Sequence, residues 1–148
     1  MKILLVDPSD AFRKHLCKRL REVPGATVVA HAADENQAVL AAALCGPDVV
    51  LTELDLGRGS GFSALERLRA AGFEGTAYAV TAADEAEFGP KCLAAGLDGF
   101  YDKTHDLDRL VQALIVLARA PVAFGRSRIQ RHGLWAGRVR GPRSDASA

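Results

Sequence analysis

The sequence predicts a doubly wound α/β fold, in which a five-stranded parallel sheet carries helices on both faces. Five short apolar runs alternate with amphipathic helical patterns over residues 1–118. The apolar runs lack the apolar–polar alternation of strands that face water on one side, which indicates burial on both faces. Parallel strands joined by right-handed helical crossovers explain both observations.

The first strand–helix unit begins with KILLV (2–6), whose unbroken apolar run predicts a buried strand. Asp7 and Pro8 then predict the N-cap and the first turn of a helix, because aspartate accepts the exposed backbone N–H groups and proline lacks one. Ser9 and Asp10 are alternative caps for the same helix. Apolar residues recur at helical spacing until the Pro-Gly pair at 24–25 ends the pattern.

The second and third units repeat this order. ATVVAH (26–31) predicts a strand, and Asp34 is placed to cap a helix over ENQAVLAAALC (35–45). DVVLTE (48–53) predicts the third strand, which ends in an acid. SALERLRAA (63–71) predicts the third helix, with its leucines on one face.

The last two strands are predicted by TAYAVT (76–81) and GFYD (99–102). Between them a helix is expected over 84–95, but the Gly-Pro pair at 89–90 interrupts its pattern. Because proline disrupts a helix interior, we expect this helix to be short or broken. Residues 106–118 predict the last helix, whose leucines recur on one face.

The composition is that of an ordinary globular protein with unevenly distributed charge. The 148 residues are 49% hydrophobic and 25% charged, with a net charge of +1. Residues 1–118 carry 12 Lys or Arg and 17 Asp or Glu, a net charge of −5, whereas residues 119–148 carry seven Arg and one Asp, a net charge of +6. We therefore expect one domain, residues 1–119, and a flexible Arg- and Gly-rich segment, residues 120–148, called the basic tail.

The cysteines and the apolar stretches indicate the cellular compartment. Three cysteines, far apart and without a C-x-x-C pair, indicate reduced thiols rather than a disulfide framework or a metal centre. The N-terminal MKILLV is too short for a signal-peptide core, and no apolar stretch approaches the length of a membrane span. A cytoplasmic protein without a membrane partner is therefore expected.

Functional residues are expected at the carboxyl ends of the strands, near the point where the strand order reverses. The residues that end or follow the first, third, fourth and fifth predicted strands are Asp7-Pro8, Glu53 to Asp55, Thr81-Ala82 and Lys103-Thr104. The candidate site therefore combines carboxylates with a hydroxyl group and a lysine.

Four stretches resemble, in their order and spacing, the receiver domain of two-component response regulators, the chemotaxis-regulator-like (CheY-like) family. They are ILLVDPSDAFR (3–13), PDVVLTELDLGRGSG (47–61), AVTAAD (79–84) and AAGLDGFYDK (94–103). The resemblance implies a flavodoxin-like fold with five helices and the strand order 2-1-3-4-5. It also implies a role in phosphorelay signal transduction rather than enzymatic catalysis.

In that family the first strand ends in two acids, and the third ends in the aspartate that accepts a phosphoryl group. By resemblance, Asp7 is the first acid and Pro8 stands in place of the second, while Glu53 occupies the phospho-acceptor position. Asp55 matches the residue whose backbone carbonyl binds the metal. Asp7, Glu53 and Asp55 would therefore be the metal-binding residues.

The remaining matched positions lie at the ends of the fourth and fifth strands. Thr81 and Ala82 match the hydroxyl residue and the small residue after it, and Lys103 matches the lysine. Thr104 stands where the family usually has a cis-bonded proline, and Phe100 matches the aromatic switch position. In phosphorylated receivers the hydroxyl and lysine side chains bind the phosphoryl oxygens.

Pro8 and Glu53 depart from the requirements of phosphoryl transfer. Mg²⁺ prefers octahedral oxygen ligands, and Pro8 has no side-chain oxygen. Asp7, Glu53 and Lys103 sum to a charge of −1, whereas three carboxylates and a lysine give −2. Glutamate also extends its carboxylate about 1.5 Å beyond that of aspartate, and a misplacement of about 1 Å can cost roughly 100-fold in rate. We expect weak Mg²⁺ binding or none, and no other cofactor.

Two alternatives for Glu53 stay open from the sequence. Its side chain either forms a fixed ion pair with Lys103, or brings negative charge to Thr81 and Lys103 and so imitates the phosphorylated state. A conventional receiver, phosphorylated on Glu53 or on Asp55, is the competing hypothesis. Asp10 is a further candidate to supply the acid missing after the first strand.

The residues and the resemblance together predict an atypical response regulator that acts through protein contacts without conventional phosphorylation. The resemblance implies a histidine kinase or a downstream effector as partner, bound through the helix after strand four, strand five and the last helix. The resemblance leaves a homodimer open. The basic tail is either a solvated segment, a segment that docks on a partner or on the acidic domain, or a nonspecific binder of nucleic acid.

Overall fold

A computed structural model describes residues 1–120 and shows five parallel strands with five helices. The strands are β1 (Lys2–Val6), β2 (Thr27–Ala32), β3 (Val49–Thr52), β4 (Thr76–Thr81) and β5 (Gly99–Asp102). The helices are α1 (Asp10–Leu20), α2 (Glu35–Cys45), α3 (Gly61–Ala70), α4 (Glu85–Ala94) and α5 (Leu107–Arg119). The strand order β2-β1-β3-β4-β5 confirms the predicted fold class. The expectations for the basic tail concern residues 121–148, which lie outside the described residues, so the domain boundary stays a prediction.

Both faces of the sheet are buried, which explains why the strands read as unbroken apolar runs. Successive side chains of a strand point to opposite faces. Leu4 and Val6 of β1 pack with residues of α2, α3 and α4, whereas Ile3 and Leu5 pack with residues of α1 and α5. All four side chains are at most 1% exposed. Each face of the sheet therefore has its own apolar core.

The strand order changes direction between β1 and β3, and this places the ends of these two strands side by side. Val6 is in register with Thr52, and the N–H of Glu53 donates to the carbonyl of Val6 at 2.9 Å. Asp7 and Glu53 therefore leave the sheet at the same edge. In open α/β sheets this is the position where ligands bind.

The prediction that Asp7 caps the first helix is wrong. Ser9 is the N-cap residue of α1, and its hydroxyl accepts the backbone N–H of Phe12 at 3.1 Å. Asp7 is instead 4% exposed, and its carboxylate accepts the N–H of Ser9 at 2.8 Å. Pro8 therefore precedes the helix, because the buried contacts of Asp7 override its preference for a cap position.

The expected interruption of the fourth helix is also wrong. The helix α4 (Glu85–Ala94) is continuous and contains Pro90. Proline removes one intrahelical hydrogen bond. The carboxylate of Asp84 offsets part of this loss by accepting the N–H of Ala86 at 3.1 Å, and Cys92 is 0% exposed in the core. Capping and burial therefore outweigh the local cost of the proline.

The last helix, α5, is amphipathic as predicted. Its buried face consists of Leu107, Leu110, Val111 and Leu114, while Val116 on the other face is 68% exposed. Within residues 1–120, no helix combines the length and the apolar content required to cross a lipid bilayer.

We expect Leu110→Ala to destabilise the domain, because Leu110 is 0% exposed in the core between the sheet and α5. Truncating a buried leucine costs about 2–5 kcal/mol of the free energy of unfolding. Val116→Ala, on the exposed face of the same helix, is the matched control and should change this free energy by less than about 0.5 kcal/mol. Urea unfolding followed by circular dichroism measures both, and equal losses would contradict the placement of α5.

Candidate functional site

Three charged side chains meet in a cleft at the carboxyl edge of the sheet. Asp7 follows β1, Glu53 follows β3 and Lys103 follows β5. The Nζ atom of Lys103 lies 2.6 Å from Oδ2 of Asp7 and 3.1 Å from Oε1 of Glu53. The side chains of Asp7, Glu53 and Lys103 are 6%, 13% and 19% exposed. One ammonium group therefore bridges two largely buried carboxylates.

Each carboxylate also accepts a backbone hydrogen bond. Oδ1 of Asp7 accepts the N–H of Ser9 at 2.8 Å, and Oε2 of Glu53 accepts the N–H of Leu54 at 2.6 Å. The guanidinium of Arg13 donates to the backbone carbonyl of Asp7. Hydrogen bonds to an ionised group are stronger than neutral ones, so these contacts fix the direction of both carboxylates.

Lys103 is held from a third side by an aromatic ring. Its Nζ atom lies 4.4 Å from the ring centroid of Phe12, a cation–π contact. Burial alone lowers the pKa of Lys103, but the hydrogen bonds and charges of Asp7 and Glu53 outweigh burial and raise this pKa above its ordinary value. Lys103 is therefore a permanent cation at physiological pH.

The residues matched at the end of β4 and in β5 lie beside the cleft. The hydroxyl oxygen of Thr81 accepts the N–H of Ala83 at 3.1 Å, in the loop after its own strand. Thr81 and Phe100 are each 1% exposed, and the ring of Phe100 belongs to the apolar core. Ala82 is exposed.

Asp55 and Asp10 do not join the charged cleft. Asp55 is exposed, and its carboxylate accepts the N–H of Gly57 at 2.9 Å. The side chain of Asp10 is 63% exposed and pairs with Lys14 at 2.9 Å. The hypothesis that Asp10 supplies the acid missing at Pro8 is therefore not supported.

A glycine shapes the loop that carries Glu53. A Cβ atom on Gly61 would lie 2.3 Å from the carbonyl oxygen of Glu53, so only glycine fits at this position. Ser60, the residue before it, caps α3 by accepting the N–H of Ser63 at 3.1 Å. The start of α3 therefore packs directly against the backbone of the acidic position.

Phe12 and Arg13 are the contacts of the cleft that sequence reasoning missed. The helical spacing of Phe12 assigns it to the apolar face of α1, and it does pack beside the core there. Its second contact, with Lys103, depends on how α1 lies against the end of β5. No local spacing signals this contact, because the two residues are distant in the chain.

The side chains of the cleft do not fit a magnesium site. In the part of the chain that the structure describes, no group of three or more His, Cys, Asp or Glu side chains is placed to hold a metal ion. Asp7 and Glu53 supply carboxylate oxygens, but both bind Lys103, which leaves a net charge of −1. Pro8 adds no side-chain oxygen. Because Mg²⁺ requires several oxygen ligands, two carboxylates already bound to an ammonium group are a poor donor set.

Comparison with known proteins finds signalling proteins. A family model described as "Response regulator receiver domain" matches residues 3–115. Response regulator GacA of Pseudomonas protegens is 29% identical over 114 residues, which are 77% of this chain and 54% of that protein. Nitrate/nitrite response regulator protein NarP of Escherichia coli is 28% identical over 123 residues, which are 83% of this chain and 57% of that protein. The chain spans about half the length of these curated relatives.

Solved structures share the fold. A two-component response regulator of the LuxR family from Aurantimonas sp. SI85-9A1 has a TM-score of 0.74 and 27% sequence identity, covering 89% of this chain and 94% of that chain. The response regulator domain of Thermotoga maritima CheB has a TM-score of 0.69 and 23% identity, covering 80% of this chain and 93% of that chain. The second similarity concerns the fold alone.

We expect Glu53→Gln to lower the pKa of Lys103, because one of the two carboxylates that stabilise the ammonium form is lost. The stability that a raised lysine pKa contributes is present at neutral pH and is lost as the pH rises through that pKa. An NMR titration of the Lys103 side chain measures the shift. Asp55→Asn removes an exposed carboxylate that bonds elsewhere, and it should leave this pKa unchanged. An unchanged pKa in Glu53→Gln would contradict the bridge.

Proposed function

Because the chain belongs to the response regulator receiver domain family, we propose that it is an atypical receiver, which signals through protein contacts without conventional aspartyl phosphorylation. As a receiver domain of a two-component system it is not an enzyme, and family membership implies a histidine kinase as partner. The outputs of the longer relatives are not assigned to this chain, which spans about half their length.

The single observation that supports this proposal is the Lys103 bridge between Asp7 and Glu53. In phosphoryl transfer a metal ion neutralises and orients the transferring group. Here the two carboxylates that would hold the metal are bound to an ammonium group. The cleft therefore favours a fixed ion-pair set over a site that takes up Mg²⁺ and phosphate, and weak Mg²⁺ binding or none is part of the proposal.

The environment of Glu53 also argues against its use as a phosphate acceptor. One carboxylate oxygen binds Lys103 and the other binds the N–H of Leu54. A nucleophile must present a lone pair in line with the phosphorus atom, and misplacement of about 1 Å costs roughly 100-fold. Both oxygens of Glu53 are engaged by protein groups. We infer that Glu53 is a structural partner of Lys103.

Of the two alternatives for Glu53, the contacts favour a fixed ion pair over imitation of a phosphorylated side chain. Imitation requires negative charge at both Thr81 and Lys103. Glu53 reaches Lys103, but the hydroxyl oxygen of Thr81 bonds to the N–H of Ala83. We infer that the ion pair favours one state of the domain, and that regulation would come from partners that bind this state.

The proposed output face is formed by α4, β5 and α5. Phe100 of β5 lies three positions before Lys103, so the cleft and this face share one strand. Arg109 of α5 donates to the carbonyl of Phe100 at 2.9 Å, which joins the helix to the strand. Val116 of α5 presents an apolar side chain to a partner, with 68% of its surface exposed.

Incubation with acetyl phosphate and Mg²⁺, followed by intact-mass spectrometry, tests this function. We expect no stable gain of one phosphoryl group by the wild-type protein. The variant Pro8→Asp/Glu53→Asp restores the second acid and shortens the acceptor, and it should gain one group. The shorter acceptor alone should raise the rate roughly 100-fold, because its carboxylate returns to the in-line position.

Two controls identify the source of any labelling. The single variant Glu53→Asp shows how much of the gain in phosphorylation comes from the shorter acceptor and how much from the acid restored at position 8. The variant Asp55→Asn shows whether Asp55 is the acceptor. Stoichiometric phosphorylation of the wild-type protein that Glu53→Gln or Asp55→Asn abolishes would establish the conventional receiver and refute the proposal.

A further inference from the structure

A groove lies beside the charged cleft, between the loop after β4 and the loop after β5. Its volume is about 210 Å³. Ala82, Ala83 and Phe100 form the apolar part of its lining. The polar residues that line it are Asp84, Glu85, Asp102, His105 and Asp106. This groove, which has an apolar wall with carboxylates around it, is called the acidic groove.

The lining of the acidic groove carries an excess of carboxylates. Four of its eight residues are acidic, whereas the nearby Asp98 and Asp108 pair with Arg69 and Arg19 outside it. Asp102 accepts two backbone N–H groups, which leave its charge in place, and Asp106 lies 3.4 Å from Arg109. With Arg109 counted against the four lining carboxylates, the formal charge of the groove is −3.

We propose that the basic tail of the same chain docks in the acidic groove, with arginine side chains between the carboxylates and the apolar wall. Residues 120–148 contain six arginines, one aspartate and no lysine, a net charge of +5. This charge is opposite in sign to that of the four carboxylates that line the groove. Arginine suits such a groove because its planar guanidinium pairs with carboxylates through two hydrogen bonds.

The position of α5 (Leu107–Arg119) allows the basic tail to reach the acidic groove. This helix begins directly after Asp106 of the groove and has 13 residues, so it ends about 20 Å away. The residues after Ala120 can span about 90 Å when extended, and a return along α5 uses roughly six of them. A tethered segment is present at millimolar effective concentration, so weak contacts are enough to populate the docked form.

A docked tail would cover part of the output face. The acidic groove includes the start of α4 and the end of β5, which a partner would contact in the proposed function. The basic tail would then compete with that partner, and the competition would weaken with salt because the contacts are charged. Docking does not depend on whether Glu53 accepts phosphate, so the two proposals can fail separately.

Tryptic cleavage of the full chain tests the docking, because trypsin cuts after arginine and reaches the basic tail only while it is undocked. In Asp84→Asn/Glu85→Gln two groove charges are lost, while asparagine still caps α4. If the wild-type tail is docked about nine-tenths of the time, cleavage in the tail should be about tenfold faster in this variant, since the rate follows the undocked population. Salt at about 0.5 M should remove the difference by screening the charges.

The matched control is Glu66→Gln/Glu74→Gln, which removes two exposed acids from α3 and from the turn before β4. It should be cleaved at the wild-type rate, and unchanged urea midpoints show that both variants are folded.

Equal cleavage of the wild type and the groove variant would overturn the proposal, as would equal acceleration by the control. Protection that grows with protein concentration would assign the tail to a second copy, and protection that appears only with added DNA would assign it to nucleic acid. Either result would also overturn docking within one chain.

Discussion

The bridge from Lys103 to Asp7 and Glu53 is the interaction on which the site depends. It joins the carboxyl ends of β1, β3 and β5, although both β3 and β4 lie between β1 and β5 in the sheet. Largely buried charges are stable only as a set, because removal of one partner of a buried pair costs about 3–5 kcal/mol. The bridge therefore fixes both the geometry of the three loops and the charge of the cleft.

The length of the Glu53 side chain and the absence of an acid at position 8 both lower the affinity of the cleft for a divalent cation. The longer side chain lets one oxygen reach Lys103 while the other accepts the N–H of Leu54. The ring of Phe12 closes a third side of the ammonium group. A cleft whose carboxylates are satisfied by protein groups attracts a dication weakly. Four further carboxylates line the acidic groove within the proposed output face.

The sequence allowed the fold to be predicted, and it placed Asp7, Glu53 and Lys103 at strand ends that meet in the structure. A parallel sheet buried on both faces gives apolar runs, and the chemistry of such sheets collects at the strand ends. The failed predictions concern residues whose neighbours in space are distant in sequence. Aspartate is a common N-cap residue, but Asp7 is buried in the cleft. Proline usually ends a helix, but Pro90 lies within a continuous one. The contact of Phe12 with Lys103 has no local signal at all.

Crystals soaked with magnesium and beryllium fluoride provide the most direct measurement of whether the Lys103 bridge excludes the metal. Beryllium fluoride mimics a phosphoryl group only where a carboxylate and Mg²⁺ hold it together. The bridge predicts a cleft in which Lys103 stays within ion-pair distance of both Asp7 and Glu53, with no octahedral ion beside them. An octahedral Mg²⁺ next to a fluoride adduct on Glu53 would contradict it.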